Sequence, residues 1–294
     1  MGISRYPSCV CMPSADKPYP QIIDFLVQRF PSVGESVWKQ RVVEGKVLDA
    51  SGAPVTDKTP YLPQQKLFYF REVLQEPIIP LQEQIVFQND ELLIACKPPF
   101  LPVTPAGPYV NECLLNRLRA KTGNSDLVPL HRIDRETSGL VLFSMNSATR
   151  GLYGGLFLNG RIKKRYAAVA EMNHPPKEER EWTVENRLVK GEPWFRMRSV
   201  AGISNARSII RLVAFEEGRG YFLLNPLTGK QHQLRLHMSA LGFPIVNDRY
   251  YPALLPKQAD DFDNPLQLLA QSVQFKDPVS GKKMEFESER KLLF

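Results

Sequence analysis

Apolar side chains recur at helical spacing through residues 21–30, QIIDFLVQRF, until Pro31 stops the run, which predicts a short helix. A second is expected over residues 35–44, closing at Gly45. Residues 46–55, KVLDASGAPV, predict a strand, a Ser51-Gly52 turn and another strand, and residues 67–73 add one more. Before all of these, residues 1–20 read as irregular. Two small helices followed by short strands make a compact appendage, with Pro77 and Pro80 marking the linker. Residues 1–80 are therefore expected to form a small auxiliary region, and residues 81–294 the main domain.

The main domain opens with two strands around an Asn89-Asp90 turn, the second ended at Lys97 because Pro98 and Pro99 cannot donate to a ladder. Leu114, Leu115 and Leu118 share one side of a helix expected over residues 112–121. A strand at 140–143, a helix at 148–158 and a strand at 162–172 follow. Four more strands are expected at 185–190, 195–199, 208–216 and 220–225. Residues 228–241 open polar and become a helix ended by Gly242, and residues 266–275 read as a last apolar strand. Many strands, few helices and no βαβ alternation predict an α+β fold with a large mixed, mainly antiparallel sheet.

At 43% apolar and 23% charged residues, the composition is that of a globular protein. No apolar run is long enough for a membrane-spanning helix. The first twenty residues lack the apolar core of a signal peptide, and four scattered cysteines suit a reducing compartment, so a cytoplasmic monomer is expected. Charge sharpens the picture. Residues 117–166 hold ten Lys or Arg and three acids, an excess equal to the whole chain's +7. A basic surface concentrated on one stretch suits a polyanion such as RNA, although charge runs are also ordinary solvated faces.

Within that stretch, PLHRIDRETSGLVLFSM (residues 129–145) runs a polar turn into an apolar strand. Asp134 lies between Arg132 and Arg135 at the strand's mouth, where opposite charges favour its ionised form, as a nucleophile or base requires. The residues alone leave open an ordinary Asp–Arg turn. Tyr166 follows the basic cluster Lys163-Lys164-Arg165 on a strand, where it could stack on a base or simply fill a core. Arg235, between Leu234 and Leu236, wants a carboxylate partner, and Asp134 is the acid with an evident reason to be buried there. His131, His232 and His237 lack a metal-ligand spacing, and the neighbouring arginines would repel a divalent cation. Cys9-Val-Cys11 has no second ligand pair. No phosphate-binding glycine loop and no nucleophile elbow are present. No metal site is expected from these residues.

HRIDRETSGLVLFSMNSATR resembles the signature of the RluA-type pseudouridine synthases, close to H-R-L-D-R-x-T-S-G-L-L-L-F. CKPPFLPVTPAG, KKRYAAVAE, NPLTGKQHQLRLHMSALGFPIVNDRYY and LLAQSVQFKDPVSGKKMEF resemble four further family segments, in the family's order, over about residues 84–288. Phe100 stands where the first segment commonly has glycine, Lys230 replaces an arginine, and Asn247 stands where glycine usually precedes Asp248. Residues 1–80 are only loosely similar to the S4-like RNA-binding modules that many relatives carry.

The resemblance implies isomerisation of uridine in a ribosomal or transfer RNA stem-loop to pseudouridine, without cofactor or metal. The family's essential aspartate matches Asp134, its carboxylate-pairing arginine Arg235, and its base-stacking tyrosine Tyr166. Arg132 would occupy the gap left by a flipped base, with Leu234, Arg161, Lys163 and Lys164 also facing RNA. Two rivals remain: a non-catalytic RNA-binding or ribosome-assembly factor on the same scaffold, and a metal-dependent hydrolase built on the histidines.

Overall fold

The structure is a computed structural model that describes residues 2–14, 19–174 and 180–294. It divides into two units: one made of residues 1–77 with 106–111, the other of residues 78–105 and 112–294.

In the first unit, α1 (Ile22–Arg29) and α2 (Glu35–Val43) cover the three-stranded antiparallel sheet of β2 (Ser8–Cys11), β3 (Val47–Leu48) and β4 (Lys66–Tyr69). Phe25, Leu26, Trp38 and Leu67 fill the space between them. The stretch expected to be irregular holds β2 and also β1 (Gly2–Ile3), which pairs with β5 (Glu72–Val73); its residues 15–18 lie outside the described residues. The second strand expected in 46–55 shrinks to a single Leu48–Pro54 bridge, because proline has no N–H to extend a ladder.

The larger unit is built on an eleven-stranded sheet. Its strands are β6 (Gln84–Gln88), β7 (Leu92–Lys97), β8 (Val128–Pro129), β9 (Ser138–Ser144), β10 (Lys163–Glu171) and β11 (Glu181–Lys190). They continue as β12 (Met197–Val200), β13 (Ala206–Glu216), β14 (Arg219–Pro226), β15 (Leu268–Lys276) and β16 (Lys283–Glu287). The order β12-β11-β13-β14-β10-β15-β9-β7-β6 is antiparallel except for β15 beside β9, with β16 added to β15 and β8 to β9. This is the mixed, mainly antiparallel α+β architecture expected from the strand pattern. No helix among the described residues is long and apolar enough to cross a membrane.

The central strands β7 and β9 are buried along their whole length, which is why they read as continuous apolar runs rather than alternating ones. Two cores flank the sheet's middle. Tyr153 and Leu156 of α4 (Arg150–Leu158) pack with Leu92, Ile94, Leu140, Leu142 and Val273. Leu234 and Met238 of α5 (Gln233–Ala240) pack with Ile210, Phe222, Leu224 and Leu268. Each fully buried Leu or Phe contributes ~1.5–3 kcal/mol. The remaining helix, α3 (Leu114–Thr122), starts two residues later than expected and ends at left-handed Gly123.

Gly139 fixes how β9 meets β15. Its φ is +110°, and a Cβ there would lie 2.3 Å from the Ala270 carbonyl oxygen, so no other residue lets the strands approach this closely. The basic stretch is also less uniform than the sequence suggests. Arg117 pairs with Glu83 and Glu112, and Lys121 with Glu83, so the α3 end of the run is bound into the fold rather than presented to a partner.

Candidate active site

A cleft of about 1150 Å³ separates the α4 half of the larger unit from the α5 half. Four segments line it: residues 129–137 leading into β9, the end of α4, the start of β10, and residues 225–235 leading into α5. Seven of the eight residues singled out from sequence border it, namely Asp134, Tyr166, Arg235, Arg132, Leu234, Lys163 and Lys164. Arg161 is exposed and lies outside the lining.

Lys97, the last residue of β7, is wholly buried and donates to the carbonyls of Pro98 (2.8 Å) and Arg135 (2.9 Å). It thereby holds the turn that presents Asp134. Burial lowers its pKa to about 7, against the opposing charge of Glu136. Arg135 is engaged with other acids. Its guanidinium grips Asp260 through two hydrogen bonds of 2.7 and 2.8 Å and reaches Glu136 at 3.2 Å. Arg132 is exposed at the cleft wall. The flanking arginines are therefore not the charges set against the carboxylate.

That place is taken by α5. Arg235, 1% exposed, puts Nε and Nη2 on Asp248 at 2.8 and 2.6 Å. Its Nη1, which makes no hydrogen bond, stands 3.6 Å from Asp134 Oδ2 and 3.7 Å from Glu136 Oε2. Arg235 meets Asp134 as an ion pair, as expected, but its hydrogen-bonded partner is a second acid, Asp248, which holds the guanidinium while Asp134 meets its free edge. Burial opposes the charge on Arg235, but Asp248 more than offsets it and the pKa is raised. The same arginine lies over Tyr250, 4.7 Å from the ring centroid.

His232 caps α5 in a left-handed conformation, φ +53°, a backbone choice that costs about 1–3 kcal/mol and is found where the surrounding structure imposes it. Its Nδ1 meets Tyr251 Oη at 2.9 Å and its Nε2 lies 3.9 Å from Asp134 Oδ1. Burial lowers its pKa despite Asp134, so near neutral pH the ring is uncharged. Buried Gln233 ties this helix start to β13: Oε1 accepts from Thr228 and Lys230, while Nε2 donates to Arg207 O and Ser208 Oγ.

On the opposite wall, β10 presents Lys164 and Tyr166, and the pairing with β15 shifts register between Arg165 and Tyr166. Such bulges re-aim side chains beside active sites. Burial, then the charge of Asp134, raises the Tyr166 pKa, so it is a neutral phenol. Lys164 departs from expectation. Unlike exposed Lys163 it is half-buried, its Nζ reaches toward Gly229, and burial lowers its pKa. It belongs to the cleft wall rather than to an outer phosphate track.

Asp248, Glu136, Lys97 and Asp260 were not singled out from sequence as site residues, and His232 was weighed only as a metal ligand. Asp248 and His232 fall inside the late motif block, which is the local signal they carry. Asp260 carries no local signal. Both departures from glycine sit in left-handed conformations: Asn247 at φ +64°, which asparagine tolerates, and Phe100 at φ +66°, which a bulky residue does not. Phe100 is held edge-on to Phe262 at 5.3 Å and beneath Arg135 at 5.7 Å.

A cleft with a partly exposed carboxylate, a buried arginine and a neutral tyrosine on a large mixed sheet defines a polar-site enzyme of α+β class. Residues 91–240 match the family described as RNA pseudouridylate synthase, and the chain belongs to that family of isomerases. It is 30% identical over 212 residues to a dual-specificity RNA pseudouridine synthase RluA of Haemophilus influenzae, covering 69% of this chain and 90% of that one. An uncharacterized RNA pseudouridine synthase of Synechocystis is 28% identical, over 78% of this chain and 79% of its own. The mitochondrial tRNA pseudouridine(32) synthase of Saccharomyces cerevisiae is 28% identical over 60% of this chain, which spans 38% of that protein. The fold is shared with human RNA pseudouridylate synthase domain containing 1 (TM-score 0.58, 21% identity, 74% of this chain and 86% of that one).

Proposed function

We propose that this protein converts a uridine in a ribosomal or transfer RNA stem-loop to pseudouridine, with Asp134 as the reacting carboxylate. The observation that carries the reading is Asp134 itself, open to the cleft and 3.6 Å from the free edge of a guanidinium that Asp248 already holds. Asp134 attacks the ribose C1′ or removes the C2′ proton; either way the N1–C1′ bond breaks, the uracil turns and C5 joins C1′. Substrate and product are isomers, so no oxidant, reductant or group donor has to be supplied.

Tyr166, a neutral phenol on β10, stacks under the uracil. Arg132 fills the gap that the flipped base leaves, at a cost of a few kcal/mol for unstacking. Leu234 gives an apolar edge to the base, Lys164 contacts the bound nucleotide inside the cleft, and Lys163 and Arg161 meet phosphates outside it. The protein works as a cytoplasmic monomer. Residues 1–80 serve as an S4-like auxiliary RNA-binding region, a reading supported by two short helices leading into short strands.

The test is to map pseudouridines in total RNA from a strain lacking this gene, against its parent, and to restore the lost site with the purified protein. Asp134→Asn, isosteric but unable to attack or take a proton, should act below about a hundredth of the wild-type rate while binding the same RNA. Turnover above that level removes Asp134 from the reaction. A non-catalytic RNA-binding factor would leave every pseudouridine in place.

A further inference from the structure

The hairpin joining β11 to β12 ends in residues 191–196, part of which the sequence placed in a strand beginning at residue 195. Trp194 projects from this tip 78% exposed. A solitary exposed ring is unremarkable, but this one begins a continuous run. Trp194 meets Phe195 edge-on at 6.0 Å, Phe195 meets Tyr250 at 5.4 Å, and Tyr250 meets His232 at 5.5 Å. The run arrives at the cleft through His232 and Arg235, the two side chains set against Asp134.

The tip is fastened rather than loose. Gln231 Nε2 donates to Phe195 O (3.3 Å) and Arg196 Nη2 to Pro252 O (3.2 Å). Arg196 also lies over Tyr251, 5.1 Å from its centroid, and Met197 N donates to Tyr251 Oη at 2.8 Å. Tyr251 in turn holds His232. The exposed indole is therefore positioned by the same residues that position the site. Lys190, Arg196 and Arg198 lie within four residues of Trp194 along the hairpin, with Glu192 the acid of the tip itself. An aromatic face set among cations suits an unpaired nucleobase with its flanking phosphates, since every base offers a π-face. It suits an apolar protein surface less well.

We propose that Trp194 is a stacking platform for an unpaired base of the substrate RNA neighbouring the uridine at Asp134. The proposal rests on the uridine-isomerase reading and adds a second point of grip, which orients the single-stranded loop before the target flips. It makes the hairpin a determinant of which loop is accepted.

The experiment titrates a synthetic stem-loop RNA with a uridine-containing single-stranded loop into the full chain, in both the wild-type and Asp134→Asn backgrounds, following tryptophan fluorescence. RNA should quench part of the emission, and Trp194→Ala should abolish that component and raise Kd about tenfold. Trp194→Tyr should remain within about threefold of wild type, and Trp194→Leu should behave like the alanine variant. The salt dependence of binding should keep its slope in all three, because no phosphate contact is lost. An unchanged Kd in Trp194→Ala overturns the proposal. So does a wild-type dimer that this variant dissolves without loss of RNA affinity, since the indole would then be a contact between two copies. If the wild type quenches and binds as expected but forms no pseudouridine, the isomerase reading fails while the stacking contact stands. If pseudouridine forms without quenching, the stacking contact fails and the isomerase reading stands.

Discussion

Arg235 spends two nitrogens on Asp248 and turns the third toward Asp134, so one guanidinium joins a structural carboxylate to the reacting one. The pair with Asp248 is sealed from water, both side chains being about 1% exposed, whereas Asp134 remains 24% exposed. The two acids should therefore respond differently to removal.

Replacing Asp248 by alanine leaves a buried cation without its hydrogen-bonded partner, at a cost of about 3–5 kcal/mol. Thermal unfolding should fall on the order of 10 °C, and activity with it. Asp134→Asn, by contrast, should melt close to wild type while losing turnover. Equal melting of the two variants would mean that Asp248 is not the structural anchor.

Arg132 and the outer cations should separate kinetically. Neutralising Lys163 or Arg161 should reduce the salt slope of RNA binding by about 0.7–0.9 each, without sequence preference. Truncating Arg132 to alanine should slow turnover of a structured stem-loop far more than of an RNA already unstacked at the target. Equal losses on both RNAs, with a shallower salt slope, would make Arg132 another phosphate contact.

Lys97 predicts a pH dependence of stability. Its folded pKa, about 7, lies below the 10.5 of an exposed lysine. Between these values the unfolded chain binds a proton that the folded chain does not, so stability rises with pH through that window. Below pH 7 both states are protonated and the dependence vanishes. Urea unfolding at several pH values should show wild type gaining on Lys97→Met by up to roughly 1.4 kcal/mol per pH unit above 7. A constant difference would place the folded pKa elsewhere.

Gly139→Ala tests the close approach of β9 and β15. The added methyl meets the Ala270 backbone at 2.3 Å in a conformation that alanine disfavours, so at least about 2 kcal/mol of stability should be lost. Full stability in this variant would require the two strands to part, which a structure of the variant would reveal.

Much of this was readable in the sequence because the information is local. The apolar runs of β7 and β9, the Pro98-Pro99 stop and the glycine closing α5 announce their elements by pattern alone. The site's members were legible through motif residues, yet their pairing was not. Arg235 finds Asp248 through the turn after α5, and Arg135 finds Asp260 from 125 residues away. Neither contact leaves a periodicity behind. The inward turn of Lys164 escaped for a related reason: three consecutive basic residues look alike until a strand sends them to opposite faces.

The place of β15 in the sheet has a consequence for how the protein is made. Tyr166 stands on β10 and the Asp134 turn leads into β9, and between those two strands lies one drawn from residues 268–276. During synthesis both walls of the cleft leave the ribosome long before the strand that joins them. Between residues 235 and 268 the nascent chain already carries Asp134, Tyr166 and Arg235 but lacks the strand that lies between β9 and β10. Over that interval β9 and β10 expose unpaired edges open to non-native pairing. The cleft is therefore the last part of the larger unit to be closed, when β15 fills the gap between β9 and β10.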